Sequence, residues 1–211
     1  ITYRIPDDAA AGTYRGRITI QADGGVRETV PVQIRVPEWE LARSPMLHGL
    51  YYARRLPGDM DTVEKELAFF DVVEAELKTQ IEHGCNIVAT YIHTTSLPSD
   101  RAPTATAQRI NGIQKKYGVS GTPYFGVVDH VGFQQGDQLP AVTERARQLD
   151  AWARANNRDG FCFQGRDEAS GEKLREQRPS WEACRAGGGK IWVACRPSYF
   201  PVMGDILDYP N

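Results

Sequence analysis

The stretch that decides the fold is 160–168, Gly-Phe-Cys-Phe-Gln-Gly-Arg-Asp-Glu, in which a short apolar run meets a polar turn. The run 161–164 is aromatic-rich and follows a turn-forming Asp-Gly pair, which is typical of a buried strand. Asp167 and Glu168 come soon after it. Carboxylates are costly to bury, and catalytic groups of α/β barrels sit at the C-terminal ends of strands. The position of this pair makes it the first candidate for chemistry.

Similar strands recur on both sides of this stretch, starting near 48, 86, 124 and 161 at intervals of about 38 residues. Four helices are predicted between the strands, and two further strands follow the fourth. The strands are 190–195 and 206–209, and the helices are a long one between Asp61-Thr62 and His83-Gly84, then 104–117, 141–156 and one ending at 186. Alternating strands and helices predict a parallel sheet with right-handed crossovers.

Both a doubly wound sheet and a (β/α)₈ TIM-type barrel fit this order of elements. The even spacing and the absence of a glycine-rich phosphate loop after the first strand favour the barrel. Only about six strands are present, so we expect an incomplete barrel that lacks its last two strands.

The first 37 residues have a different pattern. Two alternating segments, 14–21 and 28–36, flank an Asp-Gly-Gly turn and predict a β-hairpin. A sandwich needs about seven strands, so we interpret 1–37 as the C-terminal strands of an Ig-like β-sandwich module. A linker at 38–44 and the barrel at 45–211 follow, and we expect the chain to be a segment of a longer polypeptide.

Composition excludes several classes of function. A net charge of −2 gives no support for nucleic-acid binding, and no run of about 18 apolar residues could span a membrane. The four cysteines and four histidines lack zinc-site spacing, and no nucleotide-binding or nucleophile-elbow motif occurs. We therefore predict no metal and no cofactor. The cysteines are interpreted as buried thiols, with a disulfide as the alternative. The sequence does not fix the cellular compartment, although a periplasmic or extracellular location is favoured. It does not specify the oligomeric state.

In a barrel, polar residues that follow the strands converge on one mouth. Besides Asp167 and Glu168, this predicts five substrate-binding residues, Tyr52, His93, Asp129, Arg196 and Asp208. Aromatic rings beside carboxylates suit a sugar, which offers apolar C–H faces and hydroxyl edges. Structural roles are the alternatives. Either Tyr51 or Tyr52 must face the helices, and Arg166 and Arg196 could pair with Asp167 or Glu168 in an ion-pair network that does no catalysis.

The sequence resembles known proteins in several short motifs. Residues 5–16 resemble the last strands of the β-sandwich module that precedes bacterial glycoside hydrolases. The runs 160–168, 188–194 and 204–208 resemble the catalytic barrel of glycoside hydrolase family 123 and of the related "domain of unknown function 4091" proteins. The likeness covers most of 45–211.

This resemblance implies substrate-assisted, retaining hydrolysis of β-linked N-acetylhexosaminides, with N-acetylgalactosamine favoured. Asp167 matches the acid that orients the 2-acetamido group, and Glu168 matches the general acid/base. Burial and the Asp167 charge are expected to keep Glu168 protonated. The family motif often continues with proline, whereas Ala169 follows here. Two alternatives stay open: a retaining barrel glycosidase whose nucleophile lies beyond Asn211, and a non-catalytic carbohydrate-binding or scaffold module.

Overall fold

The computed structural model describes residues 3–6, 8–39, 45–52, 54, 62–90, 105–131 and 134–210, with the side chains of 90, 105–106 and 127–130 excepted. The chain divides into two compact units, Ile1–Pro45 and Met46–Asn211. Within the described ranges, none of the helices is long and apolar enough to cross a membrane.

The first unit is the predicted hairpin. Strands β1 (Gly12–Gln21) and β2 (Arg27–Val36) pair antiparallel, from Gly12 opposite Val36 to Gln21 opposite Arg27. Gly24 and Gly25 turn the chain with φ of 88° and 82°, a conformation that residues with a Cβ seldom adopt. Apolar side chains such as Ile18, Val32 and Ile34 share one half-buried face. The β-sandwich around this face stays a prediction.

The second unit contains a six-stranded parallel sheet. Its strands are β3 (Tyr51–Tyr52), β4 (Ala89–Thr90), β5 (Tyr124–His130), β6 (Phe161–Gln164), β7 (Lys190–Val193) and β8 (Tyr209–Pro210). Each strand pairs in parallel with the one before it, so the order in space is the order in sequence. A doubly wound sheet reverses its order at a switch point, and this sheet shows no reversal.

The sheet is strongly curled. In a flat sheet β3 and β7 would lie about 19 Å apart, because neighbouring strands are about 4.8 Å apart and side chains stand perpendicular to the sheet. The ring centroids of Tyr51 and Trp192, on these two strands, are only 5.4 Å apart. A small core fills the concave side, where Trp192 also packs against Phe125, Cys162 and Ala89.

Helices cover the convex side. They are α1 (Val63–Glu82), α2 (Ala105–Lys116), α3 (Leu139–Ala155), α4 (Glu172–Arg175), α5 (Arg178–Ala186) and α6 (Phe200–Met203), with short 3₁₀ turns at Gly136–Gln138 and Pro197–Tyr199. Two apolar clusters separate them from the sheet: one lies under α1 and α2, and a larger one, around Phe161, Phe163 and Trp181, lies under α3 and α5.

The long predicted helix is present as α1, and Thr62 caps it by accepting a hydrogen bond from the Lys65 amide at 3.2 Å. Apolar residues at spacings of three and four predict one buried face, made of Val63, Leu67, Phe70, Val73, Leu77 and Ile81. Phe70, Val73 and Leu77 are buried as expected, and Phe69 joins them. Val63 and Leu67 are instead 67% and 49% exposed, and Ile81 is half-buried.

Three predicted strands are shorter than expected. In the segment before β3, the His48 carbonyl accepts hydrogen bonds from the amides of both Asn86 and Ile87. This segment therefore contacts the chain before β4 but does not form the regular hydrogen bonds of a strand. Strand β8 begins only at Tyr209, because the amides of Ile206 and Leu207 bond back to the Met203 carbonyl at 3.0 and 2.9 Å and prolong the α6 turn. Strand β7 ends before Cys195, whose side chain is half-buried beyond it.

Candidate active site

Four contacts hold the backbone of the loop after β6 in place. The Gly165 amide donates to the Trp192 carbonyl at 2.8 Å, and the Glu168 amide donates to the Ala194 carbonyl at 3.0 Å. The Arg166 amide donates at 2.6 Å to Oε1 of Gln177, a fully buried side chain. The methyl of Ala169 is buried in the larger apolar cluster. The loop is thus fixed to the end of β7 and to the helix layer.

Asp167 and Glu168 project from this fixed backbone into solvent. Both are exposed, and neither forms an ion pair within the described ranges. The burial that was expected around Glu168 is not present. The predicted ion-pair alternative loses support, because in the described part of the chain neither Arg166 nor Arg196 forms an ion pair with Asp167 or Glu168. Two carboxylates without internal partners are available to a ligand.

Glu168 has a backbone conformation that is rare for its residue type. Its φ is 52°, in the left-handed region, which costs a residue with a Cβ about 1–2 kcal/mol. A proline at 169 would favour an extended conformation at 168, so Ala169 fits this turn better than the proline of the related motif. The turn therefore differs from the one expected for an Asp-Glu-Pro sequence. Strain of this kind is often found at functional sites.

Replacing Glu168 with glycine is expected to raise the free energy of unfolding by about 0.5 kcal/mol. The relief of about 1–2 kcal/mol of left-handed strain exceeds the extra backbone entropy of glycine, about 0.5–1 kcal/mol. Urea unfolding followed by circular dichroism measures this difference. Asn157 is the matched control, because its φ is 60° and asparagine tolerates this region, so Asn157→Gly should change stability little. A Glu168→Gly variant less stable than the parent would mean that the carboxylate makes a stabilising contact.

Below this turn, two polar side chains face the concave core without a hydrogen-bond partner. Oε1 of Gln164, the last residue of β6, and Nε1 of Trp192 are buried and make no hydrogen bond within the described structure. The two residues lie opposite each other in the β6–β7 pairing. They are 3% and 4% exposed. Neither residue was among the predicted site residues, because both lie in strands interpreted as buried core. A glutamine at the end of an apolar run is the signal that could have indicated Gln164.

Tyr52, predicted to bind substrate, faces the helix layer instead. Its hydroxyl donates to Oε2 of Glu76 on α1 at 2.5 Å, and Arg54 binds the same carboxylate through Nε at 2.8 Å and Nη2 at 2.5 Å. The hydrogen bond from Arg54 lowers the pKa of the Glu76 carboxyl, and burial raises the pKa of the Tyr52 phenol. This cluster ties the end of β3 to α1. Tyr51 is the residue on the concave side.

The other predicted residues are not all brought together. Arg196 is exposed after β7, two residues beyond the carbonyl that binds the Glu168 amide. Asp208 lies elsewhere: it precedes β8, accepts from the Ile191 amide at 2.8 Å and faces Arg185 at 3.4 Å, near the start of β7. Asp208 therefore joins two strands near the start of β7, away from the loop that holds Asp167 and Glu168. Asp129 lies in β5 without a described side chain, and His93 lies outside the described residues.

The cysteines are free thiols. Cys162 and Cys184 are buried, Cys85 and Cys195 are half-buried, and burial raises the pKa of each of these thiols. Buried thiols at neutral pH are protonated and behave as small apolar side chains. No group of three or more metal-ligating side chains occurs among the residues that the structure describes.

Comparisons of the chain with protein-family models, with curated proteins and with solved structures find no match. What the site does is therefore inferred from its chemistry and from the short motifs described above.

Proposed function

We propose that this protein is a glycoside hydrolase that acts on β-linked N-acetylhexosaminides, and that its second unit is the first six strands of a (β/α)₈ barrel. One observation carries the proposal: an exposed Asp167–Glu168 turn, without an ion pair among the described residues, is fixed at the C-terminal end of β6, beside the concave face of a curled parallel sheet. That is the place where barrel enzymes hold their catalytic groups. The sequential strand order and the Tyr51–Trp192 contact support the barrel.

The proposed reaction uses the substrate's own acetamido group as the nucleophile. Asp167 accepts a hydrogen bond from the acetamido N–H, which directs the carbonyl oxygen at the anomeric carbon. Glu168 gives a proton to the leaving glycosidic oxygen as that bond breaks, and a cyclic oxazolinium forms. Glu168 then takes a proton from water, which attacks the anomeric carbon and restores the acetamide with retained configuration. No cofactor enters either step.

The aromatic residues of the concave face favour a sugar as the substrate. Tyr51 is 38% exposed and lies tilted by 37° against Trp192. Such rings offer apolar faces to the C–H groups of a pyranose, while carboxylates bind its hydroxyl edges. The proposed partner is therefore an oligosaccharide or glycan.

A retaining glycosidase with two carboxylates is the second candidate, because Glu168 could be its acid/base and the nucleophile could lie outside 1–211. The exposed acid that precedes Glu168 favours assisted hydrolysis, since an acid at that position can bind an acetamido N–H. A binding module is the non-catalytic candidate; it would retain sugar affinity and turn over no substrate.

A thiazoline mimic of the oxazoline intermediate separates these candidates. We expect it to inhibit hydrolysis of aryl β-N-acetylgalactosaminides competitively, because it reproduces the ring that the acetamido group forms, and transition-state-like ligands bind about 10²-fold or more tighter than substrates. Aryl β-galactosides, which lack the acetamido group, serve as the control and should not be cleaved. Cleavage of plain galactosides without thiazoline inhibition would favour the two-carboxylate mechanism.

A further inference from the structure

The concave face contains a donor and an acceptor that the fold itself leaves unused. Gln164 Oε1 can only accept a hydrogen bond, and Trp192 Nε1 can only donate one. Neither atom has a partner in the described structure, although both are buried. Leaving buried polar atoms unpaired is unfavourable, and native structures seldom do so without a reason.

The geometry places the two atoms in one small region. Gln164 and Trp192 are opposite each other on neighbouring strands, so their backbones are about 4.8 Å apart. Side chains alternate between the faces of a strand, so Gln164 is on the same face as Cys162, whose side chain packs with Trp192 in the concave core. Both side chains therefore face the inside of the curl, and Gln164 lies three to four residues before the Asp167–Glu168 turn.

The surroundings of this pair select the kind of ligand. Trp192 contacts the rings of Tyr51 and Phe125, each with a centroid distance of 5.4 Å, and no described carboxylate or cation binds Gln164 or Trp192. Among the described side chains this environment is aromatic and uncharged, so a charged ligand group would lose its hydration without an opposite charge. A neutral group that both donates and accepts is the better fit. A hydroxyl does so with one oxygen, and it matches the glutamine amide in either orientation.

We infer that Gln164 and Trp192 form a hydroxyl-binding subsite, which takes one ring hydroxyl of a pyranose sugar. The hydroxyl donates to Gln164 Oε1 and accepts from Trp192 Nε1, while the sugar's C–H face lies against the exposed ring of Tyr51. The choice of a sugar rests on the proposed function; the need for a hydroxyl rests on the two unpaired atoms. In this arrangement the subsite sets the depth at which the sugar binds below the two carboxylates.

Nuclear magnetic resonance of the indole N–H groups tests the subsite directly. The chain has four tryptophans, and Trp192→Phe assigns the resonance of Trp192 by its loss. N-acetylgalactosamine and galactose are titrated separately into the ¹⁵N-labelled protein. We expect the Trp192 indole resonance to shift with either sugar, because both sugars have ring hydroxyls. We also expect Gln164→Leu to weaken sugar binding about tenfold, which is the effect of roughly one lost hydrogen bond.

Gln80 provides the matched control. Its Oε1 is also buried without a described partner, but it lies on α1 in the helix layer, so Gln80→Leu should leave sugar affinity unchanged. If Gln164→Leu does not fold, Trp192→Phe removes the indole N–H and retains a smaller aromatic ring, and the same tenfold loss is expected by calorimetry. Three results would overturn the inference. They are sugar binding that leaves the Trp192 resonance in place, equal sugar affinity in the Gln164 and Gln80 variants, and no sugar binding in the millimolar range.

The outcome is distinct from that of the hydrolysis assay. A sugar-dependent shift at Trp192 without turnover of any substrate would support the subsite and reject the enzyme. Thiazoline-sensitive hydrolysis with unchanged KM in Gln164→Leu would support the enzyme and reject the subsite.

Discussion

Glu168→Gln is expected to lower kcat/KM on β-N-acetylgalactosaminides with sugar leaving groups by about 10²- to 10⁴-fold, the usual contribution of a general acid. Glutamine retains the size and hydrogen bonding of the side chain but cannot supply a proton to the departing oxygen. On aryl glycosides with good leaving groups the first step needs little protonation, so its loss should be much smaller. Steady-state kinetics on the two substrate classes measure the difference.

Glu172→Gln is the control for this comparison. Glu172 lies nearby in α4, its side chain is 75% exposed, and among the described residues it pairs only with Arg175, one turn away. Its replacement should leave both rates unchanged. If Glu168→Gln lost equal activity on both classes, Glu168 would not be the acid. If it lost none, the catalytic role assigned to the turn would be wrong.

Arg158→Met is expected to lower the free energy of unfolding by about 3 kcal/mol, because it leaves two buried amides unpaired. Arg158 is 4% exposed, and its guanidinium donates to Asn111 Oδ1 at 2.7 Å and to Gln114 Oε1 at 2.6 Å. No carboxylate pairs with it in the described structure, and burial lowers the pKa of Arg158 to about 10. Its hydrogen bonds join the end of α3 to α2. Denaturant unfolding at pH 7 gives the change.

Arg175→Met serves as the reference for this variant. Arg175 has a side chain that is 59% exposed and one surface ion pair, a contact worth less than about 1 kcal/mol. A second test replaces Arg158, Asn111 and Gln114 together with apolar residues, which should recover part of the loss because no buried polar group is then left unpaired. A single Arg158→Met variant as stable as the Arg175 variant would show that the buried cluster contributes nothing.

The elements that could be predicted from sequence are those with strong local signals. Strand β6 has the predicted bounds because an Asp-Gly turn and a polar loop enclose four apolar or semi-polar residues. Helix α1 begins at a capping threonine and ends at His83-Gly84, as its residues indicate. These signals act within a few residues and do not depend on the rest of the fold.

The side-chain directions could not be predicted in the same way. The Tyr51-Tyr52 pair requires that one ring face each side, but only the pairing of β3 with β4 decides which. Asp208 was expected at the mouth because β8 was predicted to begin three residues too early. The left-handed turn at Glu168 has no sequence signal either, since glutamate is not a residue that favours it. Each depends on tertiary contacts.

The order of the sheet also has a consequence for how the chain is made. Every strand of the second unit after β3 pairs with the strand synthesised just before it, so each new strand can be added to a sheet edge that already exists as the chain leaves the ribosome. The paired residues are non-local, from Tyr52 with Thr90 to Trp192 with Tyr209, so each pairing must wait for its crossover segment and forms slowly. The Tyr51–Trp192 contact is the exception: it joins the first strand of the sheet to the fifth, so it can form only after β7 has been translated. The concave side of the sheet can therefore take its final shape only after β7 is in place, and slowing translation before residue 190 should lengthen the time for which Tyr51 stays exposed.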